Sequence, residues 1–150
     1  MKAVLLAGGA GRHMAPLTED YPKPLLRVAG RPLIDYAIRG LESIGISEYI
    51  VVVSDRMVEE YVEERLGLRA TVVRQSKPEI EGALAEASEY VSEDETFLLA
   101  YSDIVAPTAM YRQLMDAYST SSATAALTVV PVSEAETYGV ARVDFSTGKV

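Results

Sequence analysis

The chain has 150 residues, is 49% apolar and 24% charged, carries a formal net charge of −8 and has no cysteine. This length and composition suffice for one globular domain with its own hydrophobic core. The absence of cysteine excludes disulfides, thiolate catalysis and cysteine metal sites. The negative charge repels a phosphodiester backbone and argues against nucleic acid as the main partner.

The apolar stretches of the sequence are too short to cross a membrane. The longest, 49–53 and 123–132, fall well below the roughly 20 residues that a spanning helix needs. Met1 and Lys2 lead directly into a strand-like run without a secretory signal pattern. We therefore expect a cytoplasmic protein without a membrane partner, and we leave open whether it forms a homo-oligomer.

Strand-like and helical patterns alternate along the chain. Short apolar or β-branched runs predict strands at 2–7, 49–53, 70–74, 96–101 and 123–130. Helical spacing predicts helices at 32–44, 58–66, 83–91 and 108–118. Three prolines predict an ordered loop between residues 11 and 30, and a hairpin is predicted to begin at 138–143 and to end at 146–148.

This alternation with short connections predicts an α/β fold, a Rossmann-like doubly wound and mostly parallel sheet with helices on both faces. Ligands of such folds bind at the carboxyl ends of the strands. Candidate site residues are therefore expected where the predicted strands end.

A glycine-rich segment follows the first predicted strand. Gly8, Gly9 and Gly11 bring backbone donors together without side chains, which suits a phosphate or a base edge. His13 stands where a P-loop needs its second glycine, which excludes that motif. The dinucleotide fingerprint also fails, because Met14 stands at its third glycine. Taken alone, the segment is compatible with a ligand loop or with a plain structural turn.

The surrounding stretch reads LAGGAGRHMAPLTEDYPKPLLRVAGRPLIDY. It resembles the signature of the sugar-1-phosphate nucleotidylyltransferases, such as glucose-1-phosphate thymidylyltransferases and mannose-1-phosphate guanylyltransferases. That signature is commonly written G-G-x-G-T-R-L-x-P-L-T, followed by P-K-P. The residues in register with it are Gly8, Gly9, Gly11, Pro16, Leu17, Thr18, Pro22, Lys23 and Pro24.

The resemblance implies transfer of a nucleotidyl group from a nucleoside triphosphate to a sugar 1-phosphate, with release of pyrophosphate. Lys23 would place its ammonium on the phosphates, where charge shifts onto the departing pyrophosphate. The alternative for Lys23 is an exposed loop lysine. The residues expected to bind the nucleotide through this first segment are Leu6, Ala7, Gly8, Gly9 and Gly11.

The chain departs from the signature at its Thr-Arg pair, which is replaced by Arg12 and His13. An arginine is a permanently charged, forked donor, whereas histidine offers two donors only when protonated. We therefore expect Arg12 to serve the triphosphate and His13 to assist. A loop histidine without function is the alternative for His13.

Two later strand ends also resemble the family. Gln75 resembles a glutamine of the family that reads the base, and Gly82 resembles the glycine of a Gly-Thr-Ala segment at the next helix, although the Thr is missing here. A polar strand end before an ordinary helix is the alternative. Asp103 matches an aspartate that binds Mg²⁺, with Ser102 in place of the usual glycine, and a turn cap is its alternative.

Gly139 lies in a Tyr-Gly-Val segment that resembles a sugar-binding part of the family. A second metal-binding aspartate and a Glu-Lys-Pro segment do not occur within the 150 residues. We therefore expect residues 1–150 to form the amino-terminal portion of a nucleotidyltransferase domain. A non-catalytic nucleotide-sugar-binding domain, or a transferase for a polyol phosphate or molybdopterin acceptor, are the alternative functions.

Overall fold

The computed structural model describes residues 1–9, 11–77, 79–134, 136, 139–144, 146–148 and 150. They fall into two compact units, Met1–Arg112 and Gln113–Val150. In chain order the strands and α-helices are β1 (Lys2–Ala7), β2 (Arg27–Val28), β3 (Arg31–Pro32), α1 (Leu33–Glu42), β4 (Tyr49–Val53), α2 (Arg56–Leu66), β5 (Ala70–Arg74), α3 (Glu79–Ser88), β6 (Phe97–Tyr101) and α4 (Thr108–Thr120).

A four-stranded sheet in the order β5-β4-β1-β6 forms the centre of the first unit, and every neighbouring pair is parallel. The two central strands are buried over Ala3–Ala7 and over Tyr49–Val53. Because successive side chains of a strand point to opposite faces, burial of both sets means that both faces are covered. The predicted parallel α/β fold is confirmed.

Each face of the sheet is covered by its own helices. On one face Val4, Leu6, Ile50 and Val52 pack with the small residues of α3. Helices α1 and α2 connect strands in the direction from β1 towards β5, whereas α3 returns to β6 on the other side of β1. Right-handed crossovers then place α1 and α2 opposite α3. The direction of winding reverses between β1 and β6, the position where open α/β sheets bind ligands.

The segment between β1 and α1 contains more regular structure than the sequence predicts. Single 3-10 turns form at Arg12–Met14 and Lys23–Leu25, and β2 and β3 make a short antiparallel hairpin. Ala29 and Gly30 connect them with φ of 49° and 78°, the positive pair typical of a type I′ turn.

The predicted bounds of the third helix, 83–91, are too late in the chain, because α3 begins at Glu79 and ends at Ser88. Glu79 and Glu81 lie in its first turn, where negative charge interacts favourably with the helix dipole. None of the helices in the described parts of the chain is long and apolar enough to span a membrane.

In the second unit the predicted strand 123–130 is wrong. The structure assigns no strand there, and Leu127 and Val130 are 62% and 73% exposed. A β-branched run becomes a strand only when a neighbour satisfies its backbone groups, and within this unit no described strand pairs with it. The predicted hairpin has no strand over 139–143, and Tyr138 lies outside the described residues. Its turn is present, with Gly148 donating to the Asp144 carbonyl at 2.7 Å.

Candidate functional site

A cleft of about 330 Å³ opens at the carboxyl edge of the sheet in the first unit. It lies beside the point between β1 and β6 where the winding reverses, as expected for this fold. The sequence-predicted residues that line it are Leu6, Gly8, Gly9, Lys23, Gln75 and Asp103. Residues that were not predicted also line it, namely Pro24, Glu79, Ile80, Ala83, Tyr101 and Ser102.

A close ion pair forms one side of the cleft. The Lys23 ammonium donates to Oδ2 of Asp103 at 2.6 Å, and the two side chains are 29% and 34% exposed. Lys23 begins a 3-10 turn after Pro22, and Asp103 stands two residues beyond β6, so only the fold brings them together. The pair offers an ammonium suited to phosphate and a carboxylate suited to a hard cation.

Gly11 explains how the glycine segment supports Lys23. Its φ is 63°, and a Cβ there would lie 2.9 Å from both Lys23 Cβ and Thr18 Cγ2. The Thr18 hydroxyl donates to the Gly11 carbonyl at 2.8 Å. The signature residues therefore pack against one another, and this packing sets the backbone from which Lys23 reaches the cleft.

Arg12 and His13 are placed differently from Lys23. Both lie on the exposed 3-10 turn at Arg12–Met14, and neither lines the cleft. Their contact with a triphosphate stays a prediction.

The amide of Gln75 forms another side of the cleft. Its backbone N–H donates to the Val53 carbonyl at 2.7 Å, which continues the pairing of β5 with β4. Its Nε2 donates to the Glu79 carbonyl at 2.8 Å. A Cβ at Gly8 would lie 2.0 Å from Gln75 Oε1, so only glycine leaves room for this amide. The Gly8 carbonyl in turn accepts from the Ser54 hydroxyl at 2.7 Å.

Gly11 and three further predicted residues do not line the cleft either. Ala7 is buried within β1. A Cβ at Gly82 would lie 2.7 Å from Lys77 Cβ and 2.9 Å from its carbonyl oxygen, so this glycine lets the turn after β5 pack on α3. Gly139 belongs to the second unit and is exposed. The ligand roles of these residues stay predictions.

The residues missed by sequence reasoning are mainly apolar. Tyr101 ends β6, and Ile80 and Ala83 lie near the start of α3. The Ser102 N–H donates to the Leu6 carbonyl at 3.0 Å and extends the pairing of β6 with β1 by one residue. Tyr101 could have been found from its position, because the last residue of a parallel strand lies at the ligand-binding edge.

Three comparisons show which known proteins this chain resembles. Residues 2–150 match the family model described as "Nucleotidyl transferase". Mannose-1-phosphate guanylyltransferase 1 of Arabidopsis thaliana is 28% identical over 100% of this chain and 44% of its own length. The mannose-1-phosphate guanylyltransferase catalytic subunit beta of Dictyostelium discoideum is 30% identical over 93% of this chain and 40% of its own.

Among solved structures, the inositol-1-phosphate CTP transferase from T. maritima superposes with a TM-score of 0.66 at 30% identity. The match covers 74% of this chain and 46% of that chain. The chain thus spans less than half the length of these relatives.

Proposed function

Because the chain belongs to the nucleotidyl transferase family, we propose that it provides the nucleotide-binding part of an enzyme that joins a nucleoside triphosphate to a sugar 1-phosphate. The reaction forms a nucleoside diphosphate sugar and releases pyrophosphate. The observation that carries this proposal is the Lys23–Asp103 pair in the cleft, next to the bare backbone of Gly8 and Gly9. The names of the guanylyltransferase relatives support it.

The side chain of Lys23 has the chemistry that this transfer needs. As an oxygen of the sugar phosphate attacks the α-phosphorus, the bond to pyrophosphate breaks and negative charge grows on the leaving group. An ammonium held beside the phosphates would stabilise that charge. Gly9 carries no side chain, and a Cβ there would meet nothing within 4 Å, so this wall is open to a nucleotide. We propose that Arg12 serves the triphosphate and that His13 assists.

Asp103 fits Mg²⁺ as a cofactor. Magnesium is commonly held by one or two carboxylates together with the phosphates of the substrate, so a single aspartate at the cleft is a sufficient protein ligand. When bound, the ion would neutralise charge on the two phosphates that the reaction brings together. In the described residues no set of three His, Asp or Glu side chains could hold a metal ion without the substrate.

The remaining assignments concern the whole protein. We propose that residues 1–150 are the amino-terminal portion of the catalytic domain and that Gly139 lies near the sugar. We place the enzyme in the cytoplasm, with nucleotide and sugar phosphate as partners and without nucleic acid. Its net charge of −8 supports that last point, since only a local cationic group such as Lys23 favours anions.

A second acceptor class is supported by one observation. The solved structure that superposes with a TM-score of 0.66 is named as an inositol-1-phosphate CTP transferase. A polyol phosphate would use the same Lys23 and Asp103 chemistry, because it offers the same attacking phosphate oxygen. The acceptor therefore has to be tested separately from the nucleotide.

The test is release of pyrophosphate by the full-length protein with Mg²⁺, measured for the four nucleoside triphosphates against hexose 1-phosphates and inositol 1-phosphate. We expect turnover with one or two nucleotides and one acceptor class. Binding of nucleotide without any turnover would instead favour a non-catalytic binding domain. If the protein shows no nucleotide binding and no turnover, the proposal is overturned.

A further inference from the structure

We propose that Glu86 and Ser76 are positioning residues for base selectivity, because they fix the turn that carries Gln75 into the cleft. This inference rests on the proposed function, in which the Gln75 amide faces the nucleotide base. It goes beyond that function in assigning a role to an α3 residue that does not line the cleft.

The turn after β5 is tied to α3 by a carboxylate. Oε1 of Glu86 accepts from the Ser76 backbone N–H at 3.0 Å and from the Ser76 hydroxyl at 2.5 Å. Glu86 is seven residues beyond Glu79, the first residue of α3, so these hydrogen bonds join the turn to the body of the helix. One carboxylate oxygen thereby fixes both the backbone and the side chain of Ser76.

The protonation of Glu86 agrees with this geometry. Hydrogen bonds from the hydroxyl and then the backbone of Ser76, together with the backbone of Lys77, hold the pKa of Glu86 below its usual range. Its second oxygen, Oε2, is buried and has no hydrogen-bond partner. Glu86 is partly exposed as a residue, and its charged carboxylate is directed to the turn by these hydrogen bonds.

The same turn is held at two further points. Lys77 packs against Gly82, where any side chain would collide with its Cβ and carbonyl oxygen. The Gln75 backbone pairs with Val53, and its Nε2 donates to the Glu79 carbonyl. Glu79 reaches this position with a φ of 77°, a left-handed conformation that side chains rarely adopt. Strain of this kind persists only where surrounding contacts enforce it.

A fixed amide selects between bases, whereas a loose one does not. An amide carries one acceptor oxygen and two donor hydrogens, and rotation exchanges their places. The Glu79 carbonyl can only accept, so it binds the NH₂ group of Gln75 and leaves Oε1 over Gly8 as an acceptor. A base edge that offers an N–H donor is then favoured. If the turn moves, the Gln75 amide can rotate, and the preference for a base with an N–H donor falls.

The experiment compares Glu86→Ala with Glu89→Ala, which removes the same charge from an exposed residue nearby. Dissociation constants are measured by calorimetry on the full-length protein for the four nucleoside triphosphates with Mg²⁺, and for tripolyphosphate. Selectivity is the ratio of the dissociation constants of the most weakly and the most tightly bound nucleoside triphosphate. We expect Glu86→Ala to reduce this ratio by about tenfold and to leave the affinity for tripolyphosphate unchanged. Ser76→Ala should act in the same direction, and Glu86→Gln, which keeps an acceptor oxygen, should retain more selectivity.

Three outcomes would overturn the inference, and they are distinguishable. An unchanged selectivity ratio in both Glu86→Ala and Ser76→Ala would show that the tie does not act on the base. Equal weakening of every nucleotide and of tripolyphosphate would show a general structural role. If the wild-type protein binds no nucleoside triphosphate, the proposed function fails and this inference fails with it.

Discussion

The cleft has two differently built sides. The charged side consists of Lys23 and Asp103, whose ion pair spans 2.6 Å. The amide side consists of Gln75 and the Glu79 carbonyl, joined at 2.8 Å. Charges act on any phosphate that enters, whatever base it carries, whereas an amide acts through the direction of its hydrogen bonds. We therefore expect nucleotide affinity and base selectivity to be separable in this molecule.

The two sides are also held by different means. Close packing of Gly11 and Thr18 supports the backbone of Lys23. Hydrogen bonds from Ser76 to Glu86 support the turn of Gln75. Packing tolerates no added atoms, while a hydrogen-bonded tie responds to charge and pH. Substitutions on the two sides of the cleft can therefore separate these two kinds of support.

The largest effect is expected for Lys23→Ala. Loss of the ammonium removes the cation that stabilises the leaving pyrophosphate, and kcat should fall by about 10²–10³-fold. The decrease should be equal for all nucleotides, because phosphates are common to them. Steady-state rates of pyrophosphate release with each nucleotide measure this.

The matched control for Lys23→Ala is Arg56→Ala. Arg56 pairs with Glu60 on α2 with its side chain 83% exposed, so its removal takes away one surface cation without touching the cleft. Its kcat should stay at the wild-type value. A Lys23→Ala decrease that differs strongly between nucleotides would contradict the assignment of Lys23 to the phosphates.

The next effect in size concerns folding, in Gly11→Ala. Alanine at a φ of 63° is strained, and its Cβ would press on Lys23 Cβ and Thr18 Cγ2. We expect the free energy of unfolding to fall by about 1–3 kcal/mol, measured by urea denaturation. Gly9→Ala is the control, because nothing lies within 4 Å of its Cβ. Equal losses in the two variants would refute the packing argument.

Gly8→Ala should affect the amide side alone. Its Cβ would lie 2.0 Å from Gln75 Oε1, the end of a flexible side chain, so the amide moves aside and the fold is retained. We expect nucleotide selectivity to fall by about tenfold, with little change in tripolyphosphate affinity. When Gly8→Ala is added to the Gln75→Ala variant, it should have almost no further effect on selectivity, since the two residues act through one contact. Additive effects in the double variant would contradict this.

Much of the fold could be predicted from local patterns. The strands β1, β4 and β5 have the predicted bounds because their apolar runs are short and end at turn residues. The range 123–130 has a similar composition and is not a strand in the structure. Tyr49–Val53 differs from it in having neighbouring strands, because β4 pairs with β1 on one side and with β5 on the other. Pairing is a non-local property that composition does not contain.

The residues of the site also divide into those that local sequence predicts and those that depend on distant contacts. Lys23 and Asp103 could be chosen because the family signature fixes their residue types, and the structure brings them together. Glu86 could not be chosen, because nothing in its local sequence distinguishes it from a solvated helix glutamate. Its role depends on a contact across a turn, with Ser76 ten residues earlier. The packing of Gly82 against Lys77 is a further contact across the turn that the local sequence does not reveal, and its role towards the base stays a prediction.

The tie at Glu86 predicts a pH dependence of stability. The folded pKa of Glu86 lies below its ordinary value of 4.5, so its stabilising effect is complete above that value. The effect is lost as the pH falls through the lower folded pKa, because the protonated carboxyl no longer holds the turn as strongly. The difference in unfolding free energy between wild type and Glu86→Gln should therefore shrink below about pH 4.5. A difference that is constant down to pH 2, measured by urea denaturation at each pH, would contradict the charged tie.

The smallest effect is expected in the β2–β3 hairpin, which belongs to neither side of the cleft. Ala29 has a φ of 49°, where a Cβ is unfavourable, and Asn adopts this conformation more readily in the first position of a type I′ turn. Ala29→Asn should raise the free energy of unfolding by about 0.5 kcal/mol, seen as a higher urea midpoint with an unchanged slope. Nucleotide affinity and selectivity should not change. If they did, the hairpin would be coupled to the cleft, and stability could not be varied independently of either side.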